Sequence, residues 1–217
     1  MRKNAKNEKP RLGRPSLNEA ARLDGKILDA ATHLFFAHGY GAASMEAVAK
    51  HARVSKRTLY DRYSRKPELF RAVVNRIIEN LRLSSGRRNE AVGFEDALLA
   101  LAKSMLAATL TPEALALNRL IIAEAGRFPE LAQVMNEQGA RRQAVQYIAG
   151  LLEGEMKAGR IRMGDAQFAA EQFIQLVFSL PQRRALGIGK PMTPREIAEW
   201  PAKTVALFLD GCRNHSK

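Results

Sequence analysis

A chain of 217 residues has the length for one large or two small domains with a sizeable core, and its formal charge of +13 suits a polyanionic partner. That excess is uneven: residues 1–66 hold 15 Lys+Arg against 6 Asp+Glu, a net of +9, while residues 67–217 hold 20 against 16, a net of +4. No apolar run approaches the roughly 18 residues of a membrane span, the basic N-terminus lacks the apolar core of a signal peptide, and a lone Cys212 excludes an internal disulfide and fits a reducing cytosol.

Residues 1–21 are polar, basic and without periodicity, which predicts a flexible basic arm. Within it, Gly13-Arg14-Pro15 could lay Arg14 into a narrow A·T-rich minor groove, or simply be a solvated tail. From Arg22 to His38 the apolar residues Ile27, Leu28, Ala31, Leu34 and Phe35 recur at helical spacing, and Gly39 follows where the helix must end. His33, His38 and His51 have no His or Cys partner at metal spacing and read as structural or surface residues.

The stretch Ser44–Lys66 reads as two short helices joined by a tight turn. Ser44 can cap the first, whose apolar side is Met45, Val48, Ala49 and Ala52. Ser55 can cap the second, with Leu59 and Tyr63 facing inward. At about 100° per residue Arg57 and Asp61 then fall opposite Leu59, and Lys56, Thr58 and Tyr60 complete an outward face able to hydrogen-bond. Such a face is either solvated or belongs to a helix that enters the major groove. Ser64 and Pro67 then open a helix carrying Leu69, Phe70, Val73, Val74, Ile77 and Ile78 to about Leu83. Ser84 to Asn89 is a polar break and a candidate domain boundary.

Residues 27–75 resemble the DNA-binding domain of the TetR family of transcriptional regulators. The shared pattern runs from Phe-x-x-x-Gly-Tyr at 35–40 through Ser-Met-x-x-Val-Ala at 44–49. It continues as Val-Ser-x-x-Thr-Leu-Tyr-x-x-Tyr-x-x-Lys-x-x-Leu at 54–69. The resemblance implies an all-α fold: an N-terminal three-helix helix-turn-helix domain, with a linking fourth helix, over residues 22–83. A C-terminal helical bundle for ligand binding and dimerisation would occupy residues 90–213. It implies DNA backbone contacts by Ser44, Lys56, Tyr60 and Lys66, with Ser55 at the helix start. Base or mixed contacts fall to Arg57, Thr58, Asp61 and Arg62. The guanidinium of Arg57 matches guanine O6 and N7, whereas Asp61 either accepts from cytosine N4 or pairs with Arg57 one turn away. Two residues depart from the pattern. Arg53 stands where the family commonly has Gly: a positive φ there would cost about 1–2 kcal/mol, unless the turn is built differently and Arg53 reaches a phosphate. Tyr63 stands where Phe is commoner.

The C-terminal half shows no repeat, no strand-like alternation and no phosphate loop. Helices are expected over Phe94–Leu110, from Pro112 toward Gly126, and from Phe128 to about Lys157. Another is expected from Asp165 to about Arg184, bent or ended by Pro181. The last should follow the capping box Thr193-Pro194-Arg195-Glu196, with a kink or restart at Pro201. By resemblance the last two helices of two copies pack together, which points to Phe168, Phe173, Val177, Phe178 and Phe208 at a homodimer interface. A ligand cavity among the middle helices would draw on Met105, Ile122, Phe128 and Tyr147, with Glu124 or Arg127 as polar anchor.

No Gly-x-Ser-x-Gly elbow, oriented Cys/His pair or His-Glu-x-x-His occurs, so an enzyme is not expected, nor a metal or cofactor. The expected function is a sequence-specific transcriptional regulator, a ligand-released repressor that binds a palindromic double-stranded DNA operator as a homodimer. Its effector would be an unknown small molecule, and no membrane would be involved. The rival from another class is a basic helical nucleic-acid-binding or adaptor protein without sequence readout.

Overall fold

The computed structural model describes residues 17–84, 93–137 and 140–212, and among them every regular element is a helix. The first four are α1 (Leu17–Ala42), α2 (Met45–Ala52), α3 (Lys56–Tyr60) and α4 (Lys66–Ser84). Then come α5 (Phe94–Thr109), α6 (Pro112–Glu124), α7 (Pro129–Glu137), α8 (Ala140–Lys157), α9 (Ala166–Ala185) and α10 (Pro194–Cys212). The all-α expectation holds, and no described helix is long and apolar enough to cross a membrane on its own.

Among the described residues, side chains cap the start of five of these ten helices. Ser44, Ser55, Thr111 and Asp165 each accept the backbone N–H three residues on, a bond whose loss costs about 1 kcal/mol. Thr193 and Glu196 form the reciprocal box expected of them, at 2.7 and 3.2 Å. Three boundaries differ from expectation. α1 begins at Leu17, because Glu19, Ala20 and Ala21 are competent helix residues that the arm had claimed; Arg14 lies outside the described residues. The long helix expected from Phe128 is two, α7 and α8, with Gly139 between them in the sequence. Pro201 neither ends nor restarts α10.

Pro181 likewise stays inside α9. Its ring nitrogen cannot donate to the carbonyl of Val177 one turn back, and the indole Nε1 of Trp200 on α10 donates to that carbonyl instead, at 2.8 Å. A defect in one helix thereby becomes a bond between two.

Apolar side chains gather in two cores. One joins Ile27, Phe35, Val48, Leu59, Phe70 and Val73 of α1–α4 to Leu117 and Leu120 of α6 and Leu131 and Val134 of α7. The other joins α5, α8, α9 and α10 around Leu98, Ile148, Phe173 and Val205. The first core therefore does not stop at the expected boundary near residue 84, since α6 and α7 are built into it. The second core also corrects the dimer-face residues. Phe173, Val177 and Phe208 are buried within one chain, Phe173 and Phe208 meeting edge-on at 5.0 Å, and Phe178 packs against the same core. Only Phe168 of that group is exposed, at 60%. On a helical wheel Phe168 lies across α9 from Phe173 and Val177, with Leu176 on the flank between them, so the apolar residues of one helix serve both the core and an exposed side. Leu176 and, on α10, Leu207 at 67% join Phe168 in solvent.

Candidate nucleic-acid interface

The geometry of α3 starts with how α2 stops. Arg53 adopts φ 56° and ψ 43°, the left-handed conformation, and its N–H and that of Val54 reach back to the carbonyls of Lys50 and Ala49 at 3.2 and 3.0 Å. Of the two readings left open for this residue, the strained turn is the one observed. Arg53→Gly is therefore expected to raise the thermal midpoint, the relief of about 1–2 kcal/mol being partly offset by the entropy of glycine in the unfolded chain. Differential scanning calorimetry checks this, and a lowered midpoint would show that the arginine side chain stabilises more than its backbone costs.

Leu59 then anchors α3, fully buried against α1, α2 and α4, and its opposite side is open. The Arg57 side chain is 91% exposed, with Nε 3.8 Å from Asp61 Oδ2 one turn on. The second reading of Asp61 is thus the geometry seen: it holds Arg57 outward. Thr58 stays near Ser55, its hydroxyl 2.8 Å from the capping Oγ. Lys56 and Tyr60 both turn to Glu46 of α2: Lys56 Nζ lies 3.8 Å from Glu46 Oε1, and the Tyr60 hydroxyl donates to the same oxygen at 3.3 Å. The backbone amide of Glu46 itself, then Lys56 and Tyr60, hold that carboxyl below its usual range. Two of the expected backbone-contact residues thus already share one anionic partner. Ser44, Ser55, Lys56, Arg57, Thr58, Tyr60 and Asp61 are brought together on the α2–α3 surface.

Arg62 and Lys66 are placed otherwise. Arg62 Nη1 pairs with Asp24 of α1 at 3.2 Å, and the Tyr63 hydroxyl donates to the same carboxylate at 2.8 Å. That hydroxyl bond gives Tyr63 a use that the commoner Phe would lack. Lys66 Nζ donates to the carbonyls of Tyr40, Gly41 and Ala43 at 2.7, 3.2 and 3.0 Å and lies 4.4 Å from the centre of the Tyr40 ring. Burial pushes its pKa down, against the pull of Glu124 and Glu130. Its charge is thus engaged inside the protein, where a free phosphate contact was expected. Lys66→Ala should remove charge-assisted bonds from carbonyls at the end of α1, costing about 2 kcal/mol and lowering the thermal midpoint by roughly 4–8 °C. An unchanged midpoint with weakened DNA binding would return Lys66 to the phosphate role.

The residues expected around a ligand do not gather. Met105 packs against the second core, Ile122 is 70% exposed, and Tyr147 is exposed on α8. Phe128 belongs to the first core, edge-on to Tyr40 at 5.2 Å. Glu124, expected as a polar anchor, instead accepts the backbone N–H groups of Tyr40 and Gly41 at 2.8 and 2.7 Å. His33 and His51 stack at 5.0 Å, and among the described residues no three His, Cys, Asp or Glu side chains are grouped to hold a metal. Sequence reasoning missed Glu46 and Asp24 as partners of the reading helix. Glu46 carried a signal, being an acidic residue at the start of α2 in an otherwise basic stretch.

Comparison with known proteins accords with this geometry. Residues 27–73 match the family described as bacterial regulatory proteins, tetR family, and residues 96–211 match the AefR-like transcriptional repressor, C-terminal domain. The HTH-type transcriptional activator FasR of Mycolicibacterium smegmatis is 46% identical over 57 residues, which is 26% of either chain. The HTH-type transcriptional regulator YhgD of Bacillus subtilis is 29% identical over 159 residues, 71% of this chain and 80% of that one. Among solved structures, the flavonoid-responsive regulator FrrA superposes with a TM-score of 0.74 at 31% identity, covering 90% of this chain and all of its own.

Proposed function

The chain belongs to the TetR family of bacterial regulatory proteins and is a DNA-binding transcriptional regulator; on that premise we propose that two copies read a palindromic operator through α3. The observation that carries this reading is the two-sidedness of α3: Leu59 fully buried, Arg57 fully turned to solvent, and a capped start at Ser55. A helix so anchored can slide its first turns into a major groove while Ser44, Lys56 and Tyr60 meet the flanking phosphates. Dimerisation sets two such helices on successive grooves, about 34–36 Å apart. The protein acts in the cytoplasm as a repressor, a sense supported by the repressor-type C-terminal match over residues 96–211, and a small molecule bound in that body releases it.

Incubating the purified protein with sheared genomic DNA tests the reading. Recovery of a few sites with paired inverted half-sites is expected, and even recovery of all fragments would sink it. FrrA is named as flavonoid-responsive, so flavonoids are the first compounds to try for release of the recovered operator. The side-chain oxygen of Asn118 on α6, buried with no hydrogen-bond partner among the described residues, is a candidate polar anchor for such an effector.

A further inference from the structure

Where α1 ends, Gly39 at φ 84° and ψ 163° breaks the helical path, and the backbone from Tyr40 to Ala43 is gripped from two sides. Its N–H groups at Tyr40 and Gly41 go one to each oxygen of the Glu124 carboxylate, at 2.8 and 2.7 Å, from the last residue of α6. Its carbonyls go to Lys66 at the first residue of α4. The Phe128 ring stands edge-on to Tyr40 at 5.2 Å and 5.9 Å from Lys66 Nζ, and Glu130 of α7 accepts the Tyr40 hydroxyl at 3.2 Å. Ser44, the cap of α2, follows at once in the chain. The clamped segment is thus the joint that sets where α2 and α3 sit relative to α6 and α7.

We propose that Glu124 is a positioning residue for operator binding: its two-oxygen grip on the Tyr40–Gly41 amides fixes the angle at which each subunit presents its reading helix. The inference rests on α3 being that helix. The chemistry requires a carboxylate. Two backbone donors converge on one side chain, and glutamine of the same shape offers a single acceptor oxygen while turning its NH2 toward the other donor. The fit is also close on the opposite side. A Cβ on Gly41 would lie 3.0 Å from the Phe128 ring and 3.3 Å from Glu124 Oε2, and one on Gly39 would overlap Glu124 Oε1. At Gly39 there is no room for a side chain beside Glu124, and at Gly41 one would push Phe128 and Glu124 back by a few tenths of an ångström, so the end of α6 and the joint are packed in direct contact.

The test compares wild type with Glu124→Gln and Gly41→Ala, as full-length protein, on three duplexes. These are the operator selected by wild type from a randomised pool, the same operator with one base pair inserted or removed at its centre, and a single half-site. Glu124→Gln should bind the selected operator at least tenfold more weakly, hold the half-site within about twofold of wild type, and lose most of the preference for native spacing. Gly41→Ala, which leaves the carboxylate in place but forces the surfaces apart, should do the same; it carries the test if Glu124→Gln melts below the assay temperature. Wild-type affinity and spacing preference in both variants would overturn the proposal. So would an equal loss on half-site and full operator, which marks damage to the reading unit itself. Failure of the underlying reading looks different, because wild type would then select no operator and show no spacing preference.

Discussion

Leu207→Glu is expected to yield a folded monomer that has lost most of its operator affinity. Leu207 stands in solvent on the outer side of α10, with Phe168 and Leu176 exposed on α9. Large apolar side chains left outside two well-filled cores need a cover, and under the proposed reading of two half-sites a second copy is expected to supply it. Each Leu so buried contributes about 1.5–3 kcal/mol, and twofold symmetry doubles the count. A glutamate there must either be desolvated or hold the faces apart, at several kcal/mol. Losing the dimer turns paired reading heads into single ones, and linked binding is worth about 10²–10⁴ in affinity. Sedimentation velocity with an operator titration reads both effects. The control is Phe173→Glu, which strikes a fully buried residue of the second core and should unfold the chain instead. A Leu207→Glu dimer with normal binding would move the interface to another face.

Arg57→Ala carries the second large effect, on discrimination more than on fold. Its side chain is almost wholly exposed and pairs with Asp61 on the surface, so removal leaves the cores intact. A bidentate contact with guanine is worth about 1–3 kcal/mol of discrimination, and a dimer makes it twice, so the ratio of operator to scrambled-duplex affinity should fall about 30- to 10⁴-fold. Lys56→Ala is the comparison. It should weaken both duplexes alike and reduce the salt slope by roughly one per lost charge. The reverse pattern would mean that α3 docks in another orientation.

Local signals account for most of what the sequence made legible. Ser44 and Ser55 as caps, Leu59 as the inward residue, and the Thr193–Glu196 box all rest on contacts three or four residues apart. The Arg57–Asp61 pair is of the same kind. The partners that went unforeseen have the opposite character. Glu124 reaches Tyr40 across 84 residues of chain, Lys66 reaches the same segment across 26, and Arg62 reaches Asp24 across 38. No periodicity encodes such pairings, so those residues looked like a ligand anchor, a phosphate contact and a base contact. In α9 the sequence reading places Phe168, Phe173, Val177 and Phe178 together at one interface, because apolar character alone does not say which residues face the monomer core. Phe173 and Val177 went inside and Phe168 stayed out, although all three are equally apolar.

The most direct measurement is the ratio of wild-type affinities for the recovered operator and for a scrambled duplex of equal length, followed across salt concentration. Sequence reading by α3 predicts a ratio of about 10³ or more near physiological salt, with both affinities falling steeply as salt rises. A ratio near one at every salt concentration would contradict it, and leave a basic helical protein that holds DNA by charge alone.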